Sequence, residues 1–137
     1  MKNNIITLVL ACMALIHSAK AQQTEDLTLE GSKGKLAAIL QTPKVEKGKK
    51  VQMVIICHGF GSNKDRPLLR TIANHLQEAG IASIRFDFNG CGQSEGRFED
   101  MTVLNEIEDA KKVIAYAQKL PWVSSISIVG HSQGGVV

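Results

Sequence analysis

The feature that most constrains the fold is an almost wholly apolar run, VQMVIIC, at residues 51–57. A strand with one wet face alternates apolar and polar residues, whereas this run is apolar at nearly every position and rich in β-branched side chains. That pattern is typical of a strand buried on both faces of a parallel sheet. Two further strands are predicted downstream, at residues 81–87 (IASIRFD) and 125–129 (SISIV). Such a sheet needs helices to cover both of its faces.

Amphipathic segments separate these three strands. One begins near Pro67, which a first helical turn tolerates, and ends at Gly80. The other spans residues 102–119, with a predicted apolar stripe of Val103, Ile107, Ala110, Ile114 and Ala117. Two short strands joined as a hairpin, at residues 24–31 and 35–42, precede the apolar run. A hairpin followed by β-α-β-α-β predicts an α/β fold with a mostly parallel sheet and helices on both faces.

The first 21 residues have the pattern of a secretory signal peptide. A basic start containing Lys2 precedes an apolar run at residues 5–16, and Ala19 and Ala21 fit the small-x-small cleavage rule. Cleavage after Ala21 predicts a secreted or periplasmic protein with no membrane contact once the signal is removed. Two alternatives stay open, a lipoprotein anchored through Cys12 and a cytosolic N-terminal helix.

Charge and cysteine content exclude several classes of function for the remaining residues 22–137. The whole chain has 16 basic and 13 acidic residues, and Lys2 and Lys20 fall in the signal, so the remainder carries a net charge of about +1. A near-neutral domain has no electrostatic footprint for nucleic acid. Three cysteines without a CxxC pair indicate neither a disulfide scaffold nor zinc. Cys57 and Cys91 end neighbouring predicted strands and form either a disulfide or two free thiols.

Three glycine-rich segments each follow a predicted strand, at residues 58–62, 89–96 and 130–135. In open α/β sheets, ligands bind outside the carboxyl ends of the strands. We therefore expect the three segments to converge at one edge of the sheet and to form the site there.

The last of these segments, Gly130-His131-Ser132-Gln133-Gly134, has the pattern G-x-S-x-G. It follows an apolar strand and would open a helix, which is the setting of a nucleophile elbow. The glycines would let a serine sit exposed on a tight, strained turn, because larger neighbours would clash with the adjoining strand or helix. Ser132 is the candidate nucleophile, and a glycine-rich turn with an incidental serine is the alternative.

Acyl transfer also needs two donors aimed at the tetrahedral oxyanion. The backbone N–H after the nucleophile, that of Gln133, is one candidate, and the backbone N–H of Phe60 is the other. Gly59 would let the Phe60 backbone approach closely. His58 belongs to this turn and His131 is adjacent to Ser132 in sequence, so neither is favoured as the general base.

Three motifs together resemble the N-terminal half of an α/β-hydrolase: HGFG at 58–61, DFNGCGQS at 87–94 and GHSQGG at 130–135. Within that superfamily, residues 24–137 are most similar to cinnamoyl/feruloyl esterases and their serine-aminopeptidase-like relatives. The resemblance implies Ser132 as nucleophile and Phe60 and Gln133 as the oxyanion hole. The supporting residues of the elbow and loop are His58, Gly59, Gly130, His131 and Gly134. Cys91 stands where relatives usually have His.

The resemblance also implies what this segment lacks. In such enzymes the triad runs in the order Ser, Asp or Glu, then His, so both partners are expected downstream of Ser132. We therefore expect residues 22–137 to be a partial domain, truncated after the elbow and inactive alone.

The resemblance implies a secreted serine esterase, using an acyl-enzyme on Ser132, for feruloyl/cinnamoyl-type or short acyl esters. Its substrate would be a small-molecule or polysaccharide-linked ester, and it would use no metal or cofactor. A serine peptidase, an acyltransferase and a non-catalytic remnant are the alternatives.

Overall fold

The computed structural model describes residues 22–137. The predicted signal peptide, with Cys12, lies outside the described residues. The elements in chain order are β1 (Gln23–Glu30), β2 (Lys35–Thr42), β3 (Val51–Cys57), α1 (Pro67–Glu78), β4 (Ala82–Phe86), α2 (Val103–Gln118) and β5 (Val123–Gly130). Short 3-10 turns lie at Phe98–Asp100 and Ser132–Gly135. Each predicted strand and helix is present, with ends within two residues of the predicted ones.

The five strands form one sheet in the order β1-β2-β4-β3-β5. β3 pairs in parallel with both β4 and β5, whereas β1 with β2 and β2 with β4 are antiparallel. The sheet is therefore mixed, because the β1–β2 hairpin adds to β4 in the antiparallel sense. The predicted α/β fold is confirmed, and its parallel part is the half that carries the site.

The side chains of β3 alternate between two apolar clusters on opposite faces of the sheet. One cluster contains Met53, Ile55 and Cys57 together with the α2 residues Ala110, Val113 and Ala117. The other contains Val54 and Ile56 together with the α1 residues Leu69 and Ala73. This alternation confirms that helices cover both faces, as the apolar run of β3 predicts.

The apolar stripe of α2 is rotated from its predicted position. Val103 is 37% exposed, and Ile107 and Ile114 are only half-buried. The residues that α2 buries are Glu106, Asp109, Ala110, Val113 and Ala117. The rotation matters for function, because the carboxyl groups of Glu106 and Asp109 lie on the buried side of this helix.

The two ends of the sheet differ in exposure. All five residues of β4 are buried, whereas most of β5, at the sheet edge, is exposed, including Ile128 at 54%. Within residues 22–137, no helix has the length and apolar character needed to cross a membrane.

Candidate active site

The carboxyl ends of β3 and β5 bring the first glycine-rich loop against the elbow. Cys57 at the end of β3 is in register with Gly130, and the His131 N–H donates to the Cys57 carbonyl oxygen at 3.1 Å. Gly59 then passes so close to the serine that a Cβ built on it would lie 3.1 Å from the Ser132 Cβ. Two of the three segments predicted to converge, the loop that starts at His58 and the segment that contains Ser132, therefore lie side by side.

Ser132 has a backbone conformation that non-glycine residues rarely adopt. Its φ is +55°, and it is the only non-glycine residue with positive φ in the described part of the chain. Such a conformation costs on the order of 1–3 kcal/mol and persists only where the surrounding structure enforces it. Ser132 also opens the 3-10 turn Ser132–Gly135 directly after β5. This strained strand-to-turn junction has the geometry of a nucleophile elbow.

Two glycines make the elbow sterically possible. A Cβ on Gly134 would lie 2.5 Å from the carbonyl oxygens of both Cys57 and His58, and a Cβ on Gly130 would collide with the Gly134 carbonyl. Real Cβ atoms essentially never approach a neighbour within 3.0 Å. The glycine positions of the motif are thus fixed by backbone-to-backbone packing, as the sequence argument requires.

Ser132 lines a surface cleft of about 520 Å³. The cleft is lined by Gly59, Phe60, Gly61, Ser62, Asn63, Arg66, Pro67, Leu68, Leu69, His131 and Ser132. Phe60 is 63% exposed there and makes an edge-to-face contact with Phe98, with ring centroids 5.4 Å apart. Four of the predicted site residues (Gly59, Phe60, His131 and Ser132) therefore meet around one cavity large enough for a small substrate.

His58 is buried and both of its ring nitrogens are engaged. The Phe88 N–H donates to Nε2 at 3.1 Å, so Nδ1 carries the proton and donates to the Gly59 carbonyl oxygen at 2.8 Å. Burial lowers the pKa of His58, which keeps the ring neutral. These contacts suit the supporting role predicted for His58 and leave no ring nitrogen to activate Ser132. In the described part of the chain, no histidine or carboxylate hydrogen-bonds to the Ser132 hydroxyl.

A buried ion pair that no sequence pattern predicts ties the first loop to the loop after β4. The Lys64 Nζ lies 3.0 Å from the Asp87 Oδ2, and both side chains are almost fully buried. Asp87 also accepts the Lys64 backbone N–H at 2.6 Å and the Gln93 backbone N–H at 2.8 Å. Asp87 could have been singled out, since it ends a buried strand, but nothing around Lys64 in sequence indicates burial.

Two carboxyl groups of α2, those of Glu106 and Asp109, are also buried, against the predicted apolar stripe. Asp109 accepts backbone N–H groups from Ser32 at 2.6 Å and from Asn89 at 2.8 Å. Glu106 is 2% exposed and accepts the Gln133 side-chain N–H at 2.6 Å. Burial raises the pKa of Glu106, and the nearby Asp109 raises it further, against the lowering effect of the Gln133 hydrogen bond. Acidic residues at i and i+3 near the apolar side of a predicted helix are the signal that could have revealed them.

The two cysteines of the site region are both free thiols. Burial raises the pKa of Cys57 to about 12 and that of Cys91 to about 11, so both stay protonated at neutral pH. No group of three or more His, Cys, Asp or Glu side chains within residues 22–137 is arranged to hold a metal ion.

Comparison with known proteins places this geometry in a family. A family model described as serine aminopeptidase, S33, matches residues 48–137. The chain is 36% identical over 100 residues to an uncharacterized 31.7 kDa protein of the traX-finO intergenic region of Escherichia coli, a match that covers 71% of this chain. It is 30% identical over 95 residues, 69% of its length, to putative methylesterase 12, chloroplastic, of Arabidopsis thaliana.

Among solved structures, the chain resembles Est1E from Butyrivibrio proteoclasticus, determined with bound ferulic acid. The two share 35% sequence identity with a TM-score of 0.75, over 80% of this chain and 44% of Est1E. The match to the Escherichia coli protein covers 35% of that protein, and the match to the methylesterase covers 26%. The chain thus spans less than half the length of these relatives. Because the family match includes both the loop at His58 and the elbow at Ser132, the chain belongs to the serine aminopeptidase S33 family of α/β-hydrolases.

Proposed function

We propose that the protein is a serine hydrolase that cleaves carboxylic esters through an acyl-enzyme on Ser132. The observation that carries the proposal is the strained backbone of Ser132, at φ +55°, in a cleft shared with the Gly59–Phe60 loop. The Ser132 hydroxyl attacks the ester carbonyl, and the backbone N–H groups of Phe60 and Gln133 stabilise the oxyanion. The alcohol leaves, and water then releases the acid and regenerates the serine.

Two relatives favour an ester as the substrate. Est1E holds ferulic acid and shares 35% identity with this chain, and putative methylesterase 12 of Arabidopsis thaliana shares 30%. The proposed substrates are therefore small-molecule or polysaccharide-linked esters of feruloyl/cinnamoyl or short acyl type. The signal-like residues 1–21 support a secreted or periplasmic location, with cleavage after Ala21.

We further propose that the general base and its carboxylate partner are contributed by residues downstream of this segment. His58 has both ring nitrogens occupied by backbone groups, which makes it unsuited to the task. In related folds the partners follow the nucleophile in the order Asp or Glu, then His. Residues 22–137 expressed alone should therefore give no ester turnover.

The decisive experiment compares the complete gene product carrying residues 22–137 with its Ser132→Ala variant, on methyl ferulate and on p-nitrophenyl acetate. Loss of the nucleophile should lower kcat by at least about 10⁴-fold. The matched control is Ser62→Ala, which removes another hydroxyl from the same cleft and should keep most of the turnover. Unchanged turnover in Ser132→Ala would exclude the acyl-enzyme.

A serine peptidase of the same fold is the second candidate, favoured by the family to which residues 48–137 belong. Both reactions use the same elbow, so only the substrate separates them. The complete gene product should hydrolyse p-nitrophenyl acetate much faster than an aminoacyl p-nitroanilide. The reverse preference would favour the peptidase.

A further inference from the structure

We infer that Glu106 is a positioning residue that anchors the side chain of Gln133 and thereby aims the Gln133 backbone N–H at the oxyanion. The inference rests on the proposed function, because it assigns a role within the same site. Glu106 lies on α2 and does not line the cleft, so it would act on the reaction only through Gln133.

The contact itself is short and buried. The Gln133 Nε2 donates to the Glu106 Oε2 at 2.6 Å, and Glu106 is 2% exposed. The same amide makes a longer contact, 3.5 Å, with the Met101 sulfur just before α2. Gln133 is therefore held by a side chain on a long helix that packs against the sheet.

The backbone contacts that hold the elbow are made at Gly130 and Gly134, and the Gln133 side chain adds a restraint from a different element, α2. Gln133 lies between the strained Ser132 and two successive glycines, Gly134 and Gly135. Within the described residues, the bonds from Gln133 to α2 and Met101 are the only side-chain hydrogen bonds made by the turn Ser132–Gly135.

Pairing with a cation within residues 22–137 does not explain the carboxyl group at position 106. In residues 22–137, no lysine, arginine or histidine pairs with Glu106, and the buried Asp109 on the same helix disfavours its charge. A buried carboxyl without a cation costs free energy that an apolar residue would avoid. The other buried positions of α2 are Asp109, which accepts two backbone N–H groups, and the apolar Ala110, Val113 and Ala117. What Glu106 does make is the bond to Gln133, which points to a role in the site.

The role predicts a specific kinetic signature. An oxyanion donor acts mainly on the transition state, so a misaimed donor lowers kcat and leaves KM nearly unchanged. Complete loss of one such donor costs about 10²–10³-fold in kcat. Loss of the anchor alone should cost less, about 10- to 100-fold.

The test measures kcat and KM on p-nitrophenyl acetate for the complete gene product and three variants. Glu106→Leu replaces the acceptor with an apolar side chain, Glu106→Gln keeps a carbonyl acceptor, and Glu108→Gln changes an exposed acid on the same helix. We expect Glu106→Leu to lose about 10- to 100-fold in kcat without a lower melting temperature, Glu106→Gln to restore most of it, and Glu108→Gln to match the wild type.

Gln133→Leu provides a second route that does not depend on Glu106 variants folding well. It removes the same bond but keeps the backbone N–H, so it should reproduce the loss, and the double variant with Glu106→Leu should be no worse than either single one. Full kcat in Glu106→Leu, or additive losses in the double variant, would overturn the inference while leaving the esterase intact. No turnover by the wild type would instead overturn the proposed function, and the inference with it.

Discussion

The two segments that meet at Ser132 are held in place by different kinds of interaction. The loop at residues 58–66 is fixed by polar side chains, namely the neutral His58 and the buried Lys64–Asp87 ion pair. The elbow at residues 130–135 is fixed by backbone packing, where two glycines leave no space for a Cβ. Changes in charge and pH should therefore destabilise the loop, whereas an increase in side-chain volume should destabilise the elbow.

This division has a physical reason. The loop crosses from β3 to α1 without regular backbone pairing, so its N–H and carbonyl groups need side-chain partners, as Lys64 and Gly59 show. The elbow follows β5 in register with β3, and its backbone already bonds to Cys57 and His131. Close contact is possible there only because glycine adds no side chain.

The largest expected effect comes from removing the cation of the loop. Lys64→Met leaves Asp87 buried, 0% exposed, without its counterion. Breaking a buried pair by removing one partner costs about 3–5 kcal/mol. Urea unfolding of the complete gene product measures this loss of free energy of unfolding.

Lys111→Met is the matched control for that change. Lys111 pairs with Glu108 on the exposed side of α2, at 2.8 Å. An exposed pair contributes at most about 1 kcal/mol, so this variant should lose much less stability. Equal losses in the two lysine variants would show that the Lys64–Asp87 pair does not fix the loop.

The second-largest loss of stability is expected when a side chain is added inside the elbow. Gly134→Ala places a methyl group 2.5 Å from two backbone oxygens, and forced overpacking of this kind typically costs about 1–3 kcal/mol. Gly135→Ala is the control, since its Cβ would meet the Gly130 carbonyl oxygen at an ordinary 3.6 Å. Thermal unfolding should show a clear loss for Gly134→Ala and a change below about 1 kcal/mol for Gly135→Ala. Equal melting temperatures would refute the packing argument.

The difference between the loop and the elbow also explains which features could be predicted from the sequence. Strand and helix periodicity is local, so the hairpin, the apolar β3 and the elbow Gly130–Gly134 could be read directly from residue types. The glycine requirement of the elbow is also local, because G-x-S-x-G states the two positions where a Cβ is excluded. The mixed sheet depended on how the hairpin adds to β4, which no residue pattern specifies.

The polar network could not be predicted because its partners are far apart in sequence. Glu106 bonds to Gln133, Asp109 to Ser32 and Asn89, and Lys64 to Asp87. Apolar periodicity assigns charged residues to the solvent face, which is why the predicted stripe of α2 was rotated. The prediction is wrong at Glu106 and Asp109, whose side chains connect α2 to the loops around the site.

The smallest expected effect is the pH dependence of the stability that the loop contributes through His58. His58 is buried, which lowers its pKa below the ordinary value of 6.5; its hydrogen bond to Gly59 and the charge of Asp87 oppose this shift, and Lys64 adds to it. The unfolded chain therefore binds a proton at a higher pH than the folded one does. The stability that His58 contributes is present above pH 6.5 and is lost as the pH falls through its folded pKa.

Urea unfolding at several pH values between 8 and 5 isolates this contribution when the wild type is compared with His58→Gln. The wild type should lose stability below pH 6.5 more steeply than the variant, because only the wild type must take up a proton at position 58 on unfolding. His75→Gln is the matched control, since His75 is exposed on α1 and pairs with the exposed Glu78. A burial effect requires the His75 variant to follow the wild-type curve. If the His58→Gln variant followed the wild-type curve instead, His58 would not cause the loss of stability in acid. Lys64 and Asp87 would then be the charged groups that fix the loop.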